Sequence, residues 1–274
     1  MQEPADAADG TDAIAQAVAP LRADPGRSAI LTDVDGTVAP IVERPEDAAV
    51  PDPVRALLGE LARRYAMVAC VSGRPALEAR RIVGLDELTY SGNHGFELLL
   101  PGDDQPRPDP SLDGHDRDAR EFVDSLSASD LERAGVRVED KGAIVALHWR
   151  GSENEGAAEA LAREIESAAD WKGLVAHRGR KVLEIRPDVP INKGIAVAAL
   201  IPAKPVDAAL YAGDDRTDVD AFDGLRTLQG DGELQTVVCV AIDSEESPPE
   251  VAANADLTVP GPEGFLAVLE ALVI

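Results

Sequence analysis

At 274 residues and 45% apolar content the chain can bury a sizeable core, and with 3% aromatics that core must rest on Ala, Val, Leu and Ile. A net charge of −25 repels phosphate backbones and anionic lipid, which excludes nucleic acid and membrane surfaces as partners. An anionic substrate would have to be received by local cations or a metal.

In chain order, residues 1–12 are acidic and lack a basic or apolar leader pattern; a disordered tail is expected there. No stretch approaches about 18 uninterrupted apolar residues, so a cytoplasmic protein is expected, and a monomer. Four short apolar runs read as buried parallel strands: "SAILT" (28–32), "MVACVS" (67–72), "ALYAG" (209–213) and "TVVCVAI" (236–242). Cys70 and Cys239 fall inside two of these runs and read as buried, unpaired thiols. Helical patterns lie between the strands. "PDPVRALLGELARRY" (51–65) repeats apolar residues at Val54, Leu57, Leu58 and Leu61, and 74–84 and 192–201 behave likewise. Strands alternating with helices imply βαβ units, and ligands of such sheets bind at the carboxyl ends of the strands.

The middle of the chain has a different grammar. After the Pro-, Gly- and Asp-rich "LLLPGDDQPRPDP" (98–110) comes a helical run near 113–133, then strand-like "GVRVED" and "AIVALHWR". A second helical run near 153–170 leads to "GLVAHRG" and "KVLEIRP". Helix–strand–strand thus occurs twice, a pattern that predicts a four-stranded antiparallel sheet with both helices on one face. The expected architecture is α/β: a Rossmann-like parallel-sheet core over 13–100 and 188–274, with an inserted α/β domain of two αββ units over 101–187. Trp149 and Trp171 are expected in the core of that inserted domain.

Chemistry gathers at the strand ends. "DVDGT" (33–37) closes the first strand with Asp33 and Asp35, two residues apart and so on the same side of an extended chain. Two carboxylates held that close repel unless a cation sits beside them, and Mg²⁺ favours carboxylate oxygens with phosphate and water. One aspartate could then attack phosphorus while the other moves protons; the plain alternative is a strand ending in an Asp-Gly turn. In "VSGRP" Ser72 stands at a strand end, and Gly73 lets a ligand approach the backbone. "INKGIAVAAL" puts Lys193 in the opening turn of a helix, beside free N–H groups suited to an anion. "AGDDRTDVDAF" offers Asp214 and Asp215 after a strand, Asp214 reading as a metal ligand. Asp218 and Asp220 read equally well as acids that complement a helix dipole.

The order "DVDGT", "SGR", "NKG", "GDDRTD" resembles the haloacid dehalogenase-like phosphatases. With "GNHGFE" and "KVLEIRP" it is similar, within them, to the trehalose-6-phosphate phosphatase family, which also carries an inserted cap between its serine and lysine motifs. The resemblance implies a Mg²⁺-dependent hydrolysis of a sugar phosphate. It makes Asp33 the nucleophile that becomes an aspartyl-phosphate, and Asp35 the residue that protonates the leaving oxygen and then activates water. It gives Mg²⁺ to the Asp33 carboxylate, the Asp35 backbone carbonyl and Asp214, with Asp215 adjacent, and the phosphoryl oxygens to Ser72 and Lys193. Substrate contacts are expected from Thr37, Gly73, Arg74 and the "GNHG" residues Asn93, His94 and Gly95, although His94 could equally brace its loop. In the cap they are expected from His148, Arg150, Arg180, Lys181, Glu184 and Arg186. Alternation puts Glu184 and Arg186 on one face, either to hold sugar hydroxyls or to form a cross-strand ion pair. His115 and His177 read as surface residues. Trehalose 6-phosphate is the expected substrate. A related phosphatase of another phosphorylated disaccharide, a phosphotransferase and a non-catalytic sugar-phosphate-binding regulator stay open beside it.

Overall fold

A run such as Ser28–Thr32, buried at all five positions, is stable as a strand only where both sheet faces are covered. In the computed structural model, which describes residues 5–274 apart from positions 43, 116, 180, 204 and 246, two layers of helices supply that cover. The chain divides into two compact units, 1–107 with 191–274, and 108–190.

The first unit opens with α1 (Ala5–Ala23), β1 (Ser28–Thr32), α2 (Asp52–Arg64), β2 (Met67–Val71), α3 (Ala76–Val83), β3 (Thr89–Gly92), β4 (Glu97–Leu99) and β5 (Arg107–Pro108). The second unit holds α4 (Asp118–Asp124), α5 (Ala128–Arg133), β6 (Arg137–Asp140), β7 (Val145–His148), α6 (Glu155–Trp171), β8 (Leu174–Gly179) and β9 (Val182–Pro187). The chain then completes the first with α7 (Lys193–Leu200), β10 (Ala208–Gly213), α8 (Arg216–Gly230), β11 (Thr236–Asp243), α9 (Pro249–Ala253), β12 (Leu257–Pro260) and α10 (Gly261–Val273).

Among the described residues the first unit's sheet runs β12-β11-β10-β1-β2-β3-β4-β5. It is parallel from β12 to β3 and turns antiparallel at β4. Alternation sorts the side chains of each strand. Ile30, Val68, Cys70, Leu210 and Val240 face α1, α2, α3 and α10, whereas Leu31, Ala69, Tyr211 and Cys239 face α7, α8 and α9. Both thiols are buried and free, as expected. The apolar stripe Ile14, Val18 and Leu21 docks α1 on the first of these layers. Its Ala-rich beginning continues the helix back to Ala5, which corrects the expected tail from residue 5 onward. Residues 1–4 lie outside the described residues.

The second unit is an antiparallel sheet of order β6-β7-β9-β8. One face, carrying Val145, Leu147, Leu183 and Ile185, packs on α4, α5 and α6 through Phe122, Leu131, Ala158, Ala162 and Ile165. The helical run expected over 113–133 is two helices broken around Ser125, whose hydroxyl turns back to the Phe122 carbonyl at 2.6 Å. Trp149 is buried there, but Trp171, expected beside it, ends α6 at 92% exposure. The helix's buried stripe is Ala158, Ala162, Ile165 and Ala169, and Trp171 falls off that stripe. The segment 101–107 stays with the first unit, where β5 borders β4.

Candidate active site

Asp33 follows β1 directly. Its N–H donates to the Ala212 carbonyl at 2.8 Å, so the ladder to β10 holds its backbone, and its side chain is buried. The chain then turns tightly: Val38 and Ala39 donate to the Val34 carbonyl at 3.1 and 2.9 Å, and Gly36 donates to the Ala39 carbonyl at 2.8 Å. Gly36 takes φ = 80°, and a Cβ there would stand 2.1 Å from Asp214 Oδ2. Glycine therefore meets two demands, a left-handed turn and room for a carboxylate from the end of β10. Thr37 Oγ1 donates to Asp214 Oδ1 at 3.3 Å, so this expected substrate contact steadies a neighbouring carboxylate.

Lys193 begins α7 behind an Asn192 cap, whose side chain accepts from the Ile195 N–H at 2.9 Å. Its ammonium is buried and donates to Asp33 Oδ1 at 2.8 Å and to Asp218 Oδ1 at 2.7 Å. Asp218, read from the sequence as an acid at a helix start, does lie in the first turn of α8 and also anchors the site. It is wholly buried, accepts from Tyr211 OH at 2.7 Å, and accepts from the N–H groups of Asp214 and Asp215 at 3.0 and 2.9 Å. Asp215, expected beside a metal, is the N-cap of α8 and accepts from the Arg216 N–H at 2.5 Å. It forms a capping box with Asp218, a D-x-x-D spacing that could have pointed inward from the sequence.

Electrostatics at this place are lopsided. Burial, offset in part by Lys193, pushes the Asp33 carboxyl well above the usual carboxylate range, with Asp218 and Asp214 adding to the rise. Burial and the charge of Asp218 push Asp214 up to about 7. Lys193 is pressed the other way by burial, but Asp218 and Asp33 outweigh it and hold the ammonium charged. Oxygens of Asp33, Asp214 and Asp218 all lie within 4.8 Å of one another, and Lys193 is the cation bonded to two of these residues. Asp218 is saturated by four donors, which leaves Asp33 and Asp214 with spare oxygens and excess negative charge. That donor set fits a hard divalent cation.

On the other side of β1, Ser72 extends the β2 ladder by donating its N–H to the Ser91 carbonyl at 2.9 Å. Its hydroxyl is buried and accepts from the Arg74 N–H at 3.1 Å. Asn93, His94 and Gly95 form a left-handed turn with φ of 51°, 59° and 111°, tied back by Asn93 N–H to the Arg74 carbonyl and His94 N–H to the Ser72 carbonyl. A Cβ on Gly73 would lie 2.7 Å from the His94 ring, so the imidazole covers Gly73. Arg74 turns back to Asp35: Nε and Nη2 donate to its two oxygens at 2.6 and 2.7 Å. Burial works against the guanidinium charge, and Asp35 and Glu78 more than restore it.

The second unit carries its own polar face. Directly paired strand residues share a face, so Glu139, Ala146, Glu184 and His177 form one row across the sheet, opposite the helices. His148 and Arg186 lie two residues along from members of that row. Glu184 is buried and accepts from Lys141 Nζ at 2.8 Å, and His148 Nε2 lies 2.7 Å from Glu139 Oε2. Lys141 was missed as a member of this face, and His177 is exposed on it, as expected. Lys181, in the turn before β9 at φ = 59°, donates to Glu155 Oε1 on α6 at 2.6 Å. Arg150 is exposed, and Arg180 lies outside the described residues.

The family model described as trehalose-phosphatase matches residues 31–262. A Mycobacterium tuberculosis protein, named as an uncharacterized glycosyl hydrolase, is 37% identical over 73% of this chain and 15% of its own length. Trehalose 6-phosphate phosphatase RA3 of Zea mays is 33% identical over 90% of this chain and 71% of its own. The chain spans between 54% and 60% of several other curated relatives that it matches. Among solved structures, the C-terminal domain of Candida albicans trehalose-6-phosphate phosphatase shares the fold at a TM-score of 0.71, 20% identity and 96% coverage of each chain.

Proposed function

Since the chain belongs to the trehalose-phosphatase family, we propose that it hydrolyses trehalose 6-phosphate to trehalose and phosphate at the ends of β1, β2 and β10. The observation that carries the reading is Asp33, a buried carboxylate held by Lys193 in a polar cluster with Asp214. A pure binder has no need of a nucleophile so mounted, and this speaks against the regulatory alternative.

Asp33 attacks phosphorus, and Asp35 protonates the departing sugar oxygen; water, deprotonated by Asp35, then cleaves the aspartyl-phosphate. Ser72 and its neighbouring loop offer donors to the phosphoryl oxygens, while Lys193 fixes the attacking carboxylate and faces the growing negative charge. The family implies a divalent metal. Our assignment is Mg²⁺, held by the Asp33 and Asp214 carboxylates and the Asp35 carbonyl, and it would neutralise the carboxylates and the phosphoryl group. In the inserted unit, Glu184 and its polar row are assigned to the sugar hydroxyls.

The same reading takes the chain as a cytoplasmic monomer; buried free thiols agree with a reducing compartment. Among the described residues no helix is long and apolar enough to cross a membrane. A phosphate-release panel with Mg²⁺ across sugar phosphates tests the substrate, and a much higher kcat/KM on another disaccharide phosphate would refute trehalose 6-phosphate. Asp33→Asn is expected to abolish turnover in a folded protein.

A further inference from the structure

Arg74 was expected to touch substrate, yet each of its three side-chain nitrogens is engaged inside the protein. Nε and Nη2 grip both oxygens of Asp35 at 2.6 and 2.7 Å, a two-pronged pairing that lysine cannot reproduce. The third nitrogen, Nη1, donates to Glu78 Oε1 at 2.5 Å and to the Pro45 carbonyl at 3.2 Å. The turn after β1, the segment near residue 45 and helix α3 thus meet on one side chain, which is 17% exposed. Its backbone is equally fixed, donating to Ser72 Oγ at 3.1 Å and accepting from the Asn93 N–H at 2.8 Å.

We propose that Arg74 is a positioning residue that holds the Asp35 carboxylate in the one orientation its two proton transfers require. The inference rests on the phosphatase reading above. A carboxylate has about four lone-pair sites, and a guanidinium fork takes two, one on each oxygen. The plane of Asp35 is thereby set while a lone pair on each oxygen stays open to a proton. In the first half-reaction the Asp33 Oδ–P bond forms, the bond from phosphorus to the sugar oxygen breaks, and that oxygen takes the proton of Asp35. In the second, water oxygen bonds to phosphorus, the Asp33 Oδ–P bond breaks, and a water proton returns to Asp35. Loosening Asp35 slows both halves and leaves phosphate binding as it was.

The test compares Arg74→Lys and Arg74→Ala with the parent, all as full chains with Mg²⁺, on trehalose 6-phosphate and on p-nitrophenyl phosphate. Nitrophenolate departs without a proton, so only the second half-reaction still needs Asp35. On the sugar phosphate, kcat is expected to fall about 100-fold in both variants, the scale of one general acid–base, with KM within about twofold. On the aryl ester the variants should give a burst of nitrophenol, one per active site, ahead of a slow steady rate, while the parent runs linearly. Adding Arg74→Ala to Asp35→Asn should change neither phase, because the residue acts only through Asp35.

A raised KM at unchanged kcat would make Arg74 a substrate ligand and overturn the proposal. Equal losses on both esters with no burst would reduce it to a structural residue, and Arg74→Lys at parental kcat would do the same. A parent inert on both esters overturns the phosphatase reading itself, an outcome distinct from an active parent with unaffected variants.

Discussion

Lys193 and Asp218 form an ion pair at 2.7 Å in which both side chains are shut away from water. Asp218 in turn fixes the N–H groups of Asp214 and Asp215 and the hydroxyl of Tyr211, while Lys193 reaches Asp33. One buried carboxylate therefore links the proposed nucleophile on β1 with the proposed metal ligand after β10. Without Asp218, Lys193 keeps Asp33, but the Tyr211 hydroxyl and the N–H groups of Asp214 and Asp215 lose their acceptor, at about 1–3 kcal/mol for a buried donor left unpaired. Asp218→Ala is expected to lower the unfolding free energy read from urea titration by at least that amount, and Asp218→Asn, which keeps an acceptor, by less. A loss below about 1 kcal/mol for the alanine variant would contradict the pair's role, since that is the scale of exposed pairs.

Asp214 is crowded by Asp218 and Asp33 without a cation of its own. Neutralising it should relieve repulsion and, on the proposed assignment, remove a ligand of the metal at once. Asp214→Asn is therefore expected to melt higher than the parent in chelator, to gain nothing from added Mg²⁺, and to lose turnover. Calorimetric scans with and without Mg²⁺ check it; an undiminished Mg²⁺-induced shift in the variant counts against Asp214 as a ligand.

How far the sequence carried the reading follows from which forces are local. Continuous apolar runs located β1, β2, β10 and β11, because a strand buried on both faces has no other composition. The strand ends then brought Asp33, Ser72 and Asp214 to the carboxyl ends of three neighbouring strands. Side-chain choices between partners far apart in the chain were not legible. "GDDRTD" offers several carboxylates at one helix start, and only contact with Lys193, 25 residues earlier, singles out Asp218. Nothing in "SGR" states that Arg74 turns back 39 residues to Asp35. The helix α1 escaped notice because its composition suits a solvated tail until Ile14, Val18 and Leu21 find a surface to cover.

In the inserted unit, His148 donating to Glu139, more than the burial that opposes it, holds the Glu139 carboxyl below its ordinary value of 4.5. A carboxyl lowered by folding adds stability that is present above its unfolded value and vanishes as pH falls through the folded one. The parent should therefore lose this contribution below about pH 4.5, and Glu139→Gln should lack it throughout. Melting curves at about pH 6 and about pH 3 are expected to separate the two proteins at the higher pH and bring them together at the lower. The gap should stay within about 1 kcal/mol, since the pair is partly solvated. A gap that widens on acidification would reverse the sign and refute the assignment.

Gly36 puts the geometry of the turn after β1 to a sharper test. Alanine at φ = 80° is strained by about 1–2 kcal/mol, and its methyl carbon would fall 2.1 Å from Asp214 Oδ2. The carboxylate must move, so the damage should reach metal use as well as stability. Gly36→Ala is expected to melt only a few degrees lower. Its half-saturating Mg²⁺ concentration should rise about tenfold, the equivalent of about 1.4 kcal/mol at the ligand. Activity titrations with Mg²⁺ read this directly. An alanine variant with a lowered melting point but parental Mg²⁺ dependence would mean that Asp214 does not need the space Gly36 leaves, and the metal would have to be sought on other oxygens.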